Sequence, residues 1–388
     1  MIKILKLLIF LKRLFVYTFF LSLCFTNVQA QKYRFIHRYW NSLINDTSDI
    51  SKPQFLLYPT VAYAPETSWE IGLSSLYVYY AKRDTANRLS EINGFTFFTL
   101  ENQYGIWFDH ALYSDQNTWF FLGRSRFQSF PLLYFGIGPH TAPDPLANVE
   151  ANQLWLRERV LRKIRSNLYF GLQIDLQRLS SVNFIANPEG NFYALPRGSS
   201  GSTNLGFGFG VVYDNRHNVL NVRKGFFSEL SISRYDPLWG STFGFSTLLS
   251  DTRIYKPINK RDVLAAQFLA QYTYGQIPFN QLALLGGESI MRGYYLGRFR
   301  DENQLATQVE YRFLPLPLGF SKRLGAAVFA GTGTVFSKSK YLSFDDLIWS
   351  AGAGIRFLLF PKKDIFTRLD IAFTREGTGL YIFIGEAF

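Results

Sequence analysis

One cysteine, four histidines and a charged fraction of only 18% leave this 388-residue chain few of the groups from which thiol, metal or acid–base sites are built. Long apolar runs are missing as well. Beyond residue 30 none approaches the ~18 residues a membrane-spanning helix needs, and mean hydropathy is −0.01. A helical membrane bundle is therefore excluded. With 47% apolar and 18% aromatic residues, disorder is excluded too. There is no internal repeat and no low-complexity tract. Two classes remain: a large globular protein, or a membrane protein whose apolar residues alternate with polar ones and so keep average hydropathy near zero.

Residues 1–30 read as a cleaved secretory signal. Lys3, Lys6, Lys12 and Arg13 precede an apolar stretch from Leu14 to Phe25, and Val28-Gln29-Ala30 supplies a small-residue cleavage site. Cleavage removes four of the positive charges behind the formal +12, and it also removes Cys24, the sole cysteine. An exported chain of this length without disulfides must rest on a large core or on closed strand pairing. Residues 31–53 form a separate N-terminal segment expected in the periplasm. Tyr33, Ile36, Trp40, Leu43 and Ile44 recur there at helical spacing opposite His37, Arg38, Asn41 and Asn45, which fits a short amphipathic helix in the membrane interface or plugging the lumen, with a poorly ordered leader as the equal alternative.

From residue 54 onward the dominant period is two, the signature of β-strands. Over 304–313, Leu305, Thr307, Val309, Tyr311 and Phe313 point one way, while Gln304, Ala306, Gln308, Glu310 and Arg312 point the other. Over 204–214, Leu205, Phe207, Phe209, Val211 and Tyr213 oppose Asn204, Gly206, Gly208, Gly210, Val212 and Asp214. A soluble sandwich would alternate too, but here the polar side carries Gly, Gln and Arg over the ~10 residues of a tilted membrane-crossing strand. Sixteen such segments are predicted, near 54–63, 69–82, 92–103, 105–113, 118–127, 151–164, 167–178, 202–213, 225–234, 243–256, 262–275, 303–313, 323–336, 349–360, 364–374 and 378–388. An even number is what a bacterial outer-membrane barrel requires. The longest connections, 128–150, 179–201 and 276–302, all follow odd-numbered segments, so both termini are expected in the periplasm. The fold class is thus all-β, a sixteen-stranded antiparallel transmembrane barrel spanning 54–388. The last strand is expected to run to Phe388, with Gly385 inside it.

Chemistry is sparse. Asp109 and His110 are adjacent on a strand, so their side chains leave on opposite faces and cannot converge on one lumen site. A hydrolase built into the barrel would need lumen residues such as His110 beside a serine or aspartate. No nucleophile elbow, His-Glu-x-x-His helix, phosphate loop or cysteine cluster occurs, so no catalytic residue, metal or cofactor is expected. Basic and aromatic residues interleave over 151–173, but a basic lumen wall accounts for them as well as nucleic acid does. The positive charge is better matched to anionic lipid, including lipopolysaccharide, than to nucleic acid.

The most distinctive stretch runs from Leu285-Gly286-Gly287-Glu288-Ser289-Ile290-Met291-Arg292-Gly293-Tyr294-Tyr295 to the strand bearing Glu310-Tyr311-Arg312. With Asp214-Asn215-Arg216, Gly352-x-Gly354-x-Arg356, Arg368-x-Asp370 and Phe388, it resembles the BamA/TamA superfamily of outer-membrane assembly factors and two-partner-secretion transporters, the bacterial surface antigen family. The resemblance covers residues 200–388 well and the first five strands by pattern only. It implies that Arg292-Gly293-Tyr294 is the tip of a long loop folded into the lumen and that Glu310 is the inward carboxylate for the arginine. A guanidinium in a narrow lumen needs such a partner, and its planar fork suits a carboxylate. Gly293 would allow the tight turn. Gly206, Gly208, Gly210, Gly352 and Gly354 would leave a wall on which the loop can lie. Gly385 would loosen the seam between the first and last strands, and Phe388 would be the C-terminal signal read by the assembly machinery.

Two departures stand out. Gly331 occupies the place where the family presents a second carboxylate, and Glu386 replaces an apolar residue. The family's periplasmic POTRA domains do not fit into residues 31–53, so the resemblance implies a member without them. The expected function is insertion or translocation of proteins, or lipids, at the outer membrane, with client proteins or an assembly complex as partners. A passive pore or structural surface antigen is the second reading.

Overall fold

The chain is described by a computed structural model for residues 51–188, 193–216, 221–338, 341–361 and 364–388. The signal, the amphipathic segment, His37 and His217 lie outside the described residues. The strands are β1 (Gln54–Ala64), β2 (Ser68–Tyr80), β3 (Leu89–Thr99), β4 (Tyr104–Tyr113), β5 (Trp119–Ser129), β6 (Leu132–Tyr134), β7 (Ala147–Arg165), β8 (Leu168–Ala186), β9 (Ser202–Asp214) and β10 (Gly225–Tyr235). They continue as β11 (Phe245–Pro257), β12 (Asp262–Gly275), β13 (Ala283–Leu285), β14 (Phe299–Asp301), β15 (Asn303–Phe313), β16 (Leu324–Phe336), β17 (Ile348–Phe360), β18 (Ile365–Thr374) and β19 (Gly377–Ile384).

Each wall strand pairs antiparallel with its neighbours in sequence, and the sheet closes through β1 and β19. The short β6 continues β5 along the same edge of β7, and β13 and β14 form a separate two-stranded ribbon. The result is a sixteen-stranded closed antiparallel barrel. Every edge but the β1–β19 junction is fully laddered, which is the condition for β-structure in a solvent that offers no hydrogen bonds.

The period-two pattern sorts the side chains as expected. Phe55, Val61, Ile71, Phe98, Ile106, Phe209, Ile232 and Ile355 are all exposed on the outer face, where lipid satisfies them. On the inner face Gln304, Gln308, Glu310 and Arg312 of β15 are buried. β7 and β8 run further than the alternation predicts, because 147–150 pairs with 183–186 although neither stretch alternates cleanly. The seam is thin. β1 meets β19 through a single register pair, Tyr63 opposite Ile382, whereas β1 stays in register with β2 from Gln54 to Ala64.

The lumen has its own core, supplied by the 276–302 connection. Leu285, Ile290, Met291, Tyr294 and Phe299 pack against the inward wall residues Ala306, Val335 and Ile348. Burying each large side chain of this kind contributes about 1.5–3 kcal/mol, so apolar packing holds the loop in the barrel before any charge is considered.

Candidate functional site: an arginine cluster in the lumen

The loop tip reaches the wall at Arg292. Its Nη2 lies 2.5 Å from Glu310 Oε2 on β15, and its Nη1 lies 2.7 Å from Asp370 Oδ2 on β18. The guanidinium stacks on Phe329 of β16, 3.4 Å from the ring centroid. Both carboxylates and the arginine are fully buried. Gly293 follows with φ of +106°, and a Cβ there would sit 2.5 Å from Thr374 Cγ2, so the turn has room for glycine alone. The Gly293 N–H donates to Tyr381 Oη at 2.9 Å, and that hydroxyl donates to the Tyr294 carbonyl at 3.3 Å. Tyr294 is buried with its ring edge-on to Phe299.

Arg292 does not stand alone. Arg312 Nε is 2.8 Å from Glu310, and Arg356 Nη2 is 3.3 Å from the same carboxylate. Arg356 also bonds Asp370, and Arg368 lies 3.1 Å from it while donating to the Glu288 carbonyl of the loop. Glu386 adds a third acid, 3.0 Å from Arg356 and 3.8 Å from Arg312. Four guanidiniums and three carboxylates thus interlock with almost no exposure. Buried charges survive in this way because each is paired and hydrogen-bonded by its neighbours.

Several expectations need correction. Gly331 carries no carboxylate, as the sequence says, but Asp370 from a different strand supplies the second partner of Arg292. Gly385 is not inside the last strand. β19 ends at Ile384, and Gly385 has φ of +92° with its N–H donating to the Phe366 carbonyl. The positive φ turns residues 386–388 into the lumen, where the buried guanidiniums draw Glu386. Phe388 is likewise not on the strand. It packs against Val222, Tyr255, Val263 and Ala265, its carbonyl accepts from Arg312 Nη2 at 3.0 Å, and the Arg312 guanidinium lies over its ring.

The five wall glycines separate into two groups. Gly352 makes room for the Phe329 ring and Gly354 for the Asp370 carboxylate and Arg356, so both serve the cluster. Gly206 instead meets the Tyr235 ring, Gly208 the backbone of Ile232 and Gly210 the side chains of Arg159 and Leu161. These three lie away from the arginine tip, and Gly206 backs the Tyr235 ring, which packs with Ile277, Phe279 and Leu282 at the start of the same loop. The glycines that do lie under its tip are Gly331, near Met291 Sδ, and Gly379, whose Cβ position is 2.9 Å from Gly293 Cα.

His110 is also displaced from its expected setting. Its strand face is that of Ile106 and Phe108, both exposed, so its ring looks outward and pairs with Glu158 at 3.1 Å. Asp109 faces the lumen and binds Arg126. Sequence reasoning missed Arg312, Glu386, Tyr381 and Phe329 as site residues. Alternation alone puts Arg312 on the face of Glu310, but nothing local reveals the others.

A closed sixteen-stranded barrel with an apolar outer band and a long loop clasped by charge in its lumen defines an outer-membrane β-barrel protein with an internal plug. The Omp85 superfamily domain matches residues 112–362, and the chain belongs to that superfamily, one of outer-membrane protein insertion and secretion. No curated protein matches it in sequence. Among solved structures it is similar to BamA from Haemophilus ducreyi lacking POTRA domains 1–3, at 14% identity and a TM-score of 0.55 over 86% of this chain and 70% of that one. CdiB from Escherichia coli gives 11% identity and 0.54 over 89% and 69%. CdiB from Acinetobacter baumannii gives 9% and 0.52 over 85% of this chain and 59% of that one, so the chain spans well under two thirds of that relative.

Proposed function

We propose that this barrel assists insertion or translocation of client proteins, or lipids, at the outer membrane by opening between β1 and β19. The observation that carries the reading is the single register pair that closes the sheet there. Opening any other junction breaks a full ladder of backbone hydrogen bonds in a solvent that replaces none of them, so the seam is the lowest-cost place to part. The arginine cluster keeps the loop clasped to β15 and β18 while the seam moves. Client proteins, an assembly complex and lipopolysaccharide are the partners this role implies, with both termini periplasmic after removal of residues 1–30. No covalent chemistry is required of the chain.

Reconstitution in liposomes with an unfolded barrel client tests this. Client insertion should accelerate, and a Tyr63→Cys/Ile382→Cys disulfide across the seam should abolish the gain. No acceleration with or without a partner complex, or undiminished activity after stapling, overturns the proposal. Large, steady bilayer conductance unchanged by Arg292→Ala would favour a passive pore instead.

A further inference from the structure

Away from the arginine cluster, the 276–302 connection and the β5–β8 side of the wall border a partly open cavity of about 120 Å³. Most of its lining is apolar, with Val149 and Leu179 from the wall and Phe279 and Leu284 from the loop. Two polar residues of the loop also face it, and both are incompletely satisfied. Arg300 is 5% exposed; its Nη2 donates to the carbonyls of Leu133 and Gly297, each at 3.2 Å, and its guanidinium lies 5.0 Å from the Tyr134 ring centroid. No carboxylate among the described residues forms an ion pair with it, and its Nε has no hydrogen-bond partner. Asn280 presents both a buried donor, Nδ2, and a buried acceptor, Oδ1, that nothing among the described residues satisfies.

Burial pushes the Arg300 guanidinium down to about 10, which still leaves it charged at neutral pH. A buried cation without a counter-charge is destabilising, and an orphaned buried amide adds to that cost. An anion that also carries a hydrogen-bond donor would relieve both.

We propose that this cavity is a binding site for a small organic carboxylate with an apolar body and a hydroxyl beside the anion. The guanidinium fork of Arg300 takes the carboxylate. Asn280 Nδ2 donates to the ligand and Oδ1 accepts from its hydroxyl. The apolar body fills the space between Val149, Leu179, Phe279 and Leu284. An engineered cavity of about 150 Å³ takes up benzene, so at about 120 Å³ a single aromatic ring is the most that this partly open cavity admits, with the two-carbon hydroxy acid extending toward its opening. Inorganic phosphate would leave the apolar lining uncovered. Because Arg300 and Asn280 belong to the loop while Val149 and Leu179 belong to the wall, the ligand acts as a second clasp on the loop, opposite the arginine cluster.

The full chain in zwitterionic detergent micelles, probed with mandelate by equilibrium dialysis and saturation-transfer NMR, tests this. Saturable binding is expected, weakened at least tenfold for neutral mandelamide, for inorganic phosphate, and in Arg300→Met. Ala151→Leu, which fills the cavity and leaves Arg300 in place, should cause the same loss and decides the matter if Arg300→Met fails to fold by its heat-modifiable gel shift. Absence of mandelate binding at millimolar concentration, equal binding of mandelamide or phosphate, or undiminished binding in Ala151→Leu overturns the assignment.

Discussion

Removing Arg292 tests the clasp directly, and the charge balance of the cluster makes the outcome asymmetric. Arg292→Ala leaves Arg312, Arg356 and Arg368 facing Glu310, Asp370 and Glu386, a balanced set. Glu310→Gln leaves four guanidiniums against two carboxylates. Arg292 contributes two charge-assisted hydrogen bonds, each worth about 1.5–3 kcal/mol, and a stacking contact on the Phe329 ring. In Arg292→Ala their loss falls on the loop, since the remaining charges can still pair. At ~1.4 kcal/mol per factor of ten, the loop should open about two to four orders of magnitude more often. Ile290, 7% exposed beside the tip, is the reporter: after removal of the leader cysteine, Ile290→Cys should react with a maleimide correspondingly faster in the Arg292→Ala background. Glu310→Gln should instead lower the stability of the whole barrel, read as the urea midpoint in micelles, by more than Arg292→Ala does. Maleimide rates within threefold of each other, or the reverse order of midpoints, would refute the reasoning.

Three further outcomes are expected. Glu66, in the turn between β1 and β2, is 4% exposed; burial and the neighbouring Glu288 carboxylate push its carboxyl up to about 8. The folded state then holds more protons than the unfolded one between the ordinary carboxylate range and pH 8, so Glu66 makes stability fall as pH rises through that window. Glu66→Gln should flatten this component of the urea midpoint between pH 5 and 9, and an unchanged slope would count against it. On the outer face, His110→Leu/Glu158→Leu together should be neutral or stabilising, as apolar replacements of buried polar pairs often are; a double variant less stable than either single one in vesicle unfolding would contradict the outward placement. Glu386→Gln should loosen residues 386–388, raising the labelling rate of Ala387→Cys about tenfold or more, and an unaltered rate would show that Phe388 packing alone holds the segment.

Much of the architecture was legible because it is local. Alternation is a property of neighbours, so 303–313 declares its two faces without any knowledge of what it pairs with, and sixteen such stretches fit only a closed sheet. The relation of Arg292-Gly293-Tyr294 to Glu310 came from the resemblance, and the geometry places the two side by side. Asp370 could not be assigned to Arg292 in the same way, since β18 lies well beyond β15 in the chain and only closure of the barrel brings it to the same point in the lumen. Glu386 read as a blemish in an apolar strand end because the turn at Gly385 depends on guanidiniums donated by β15 and β17. Gly206, Gly208 and Gly210 have the same local pattern as Gly352 and Gly354, yet only the latter pair makes room for the arginine cluster at the loop tip.

By itself, then, the order of residues determined the strands, their inward and outward faces, and the presence of a long polar-tipped loop, because side-chain period and hydropathy act over a few residues. The tertiary structure alone decided which carboxylates meet which guanidiniums, where residues 385–388 go, that His110 meets Glu158, and that Arg300 is buried with no counter-charge among the described residues. Those facts depend on register and curvature summed around the whole wall, and no short stretch of chain contains that sum.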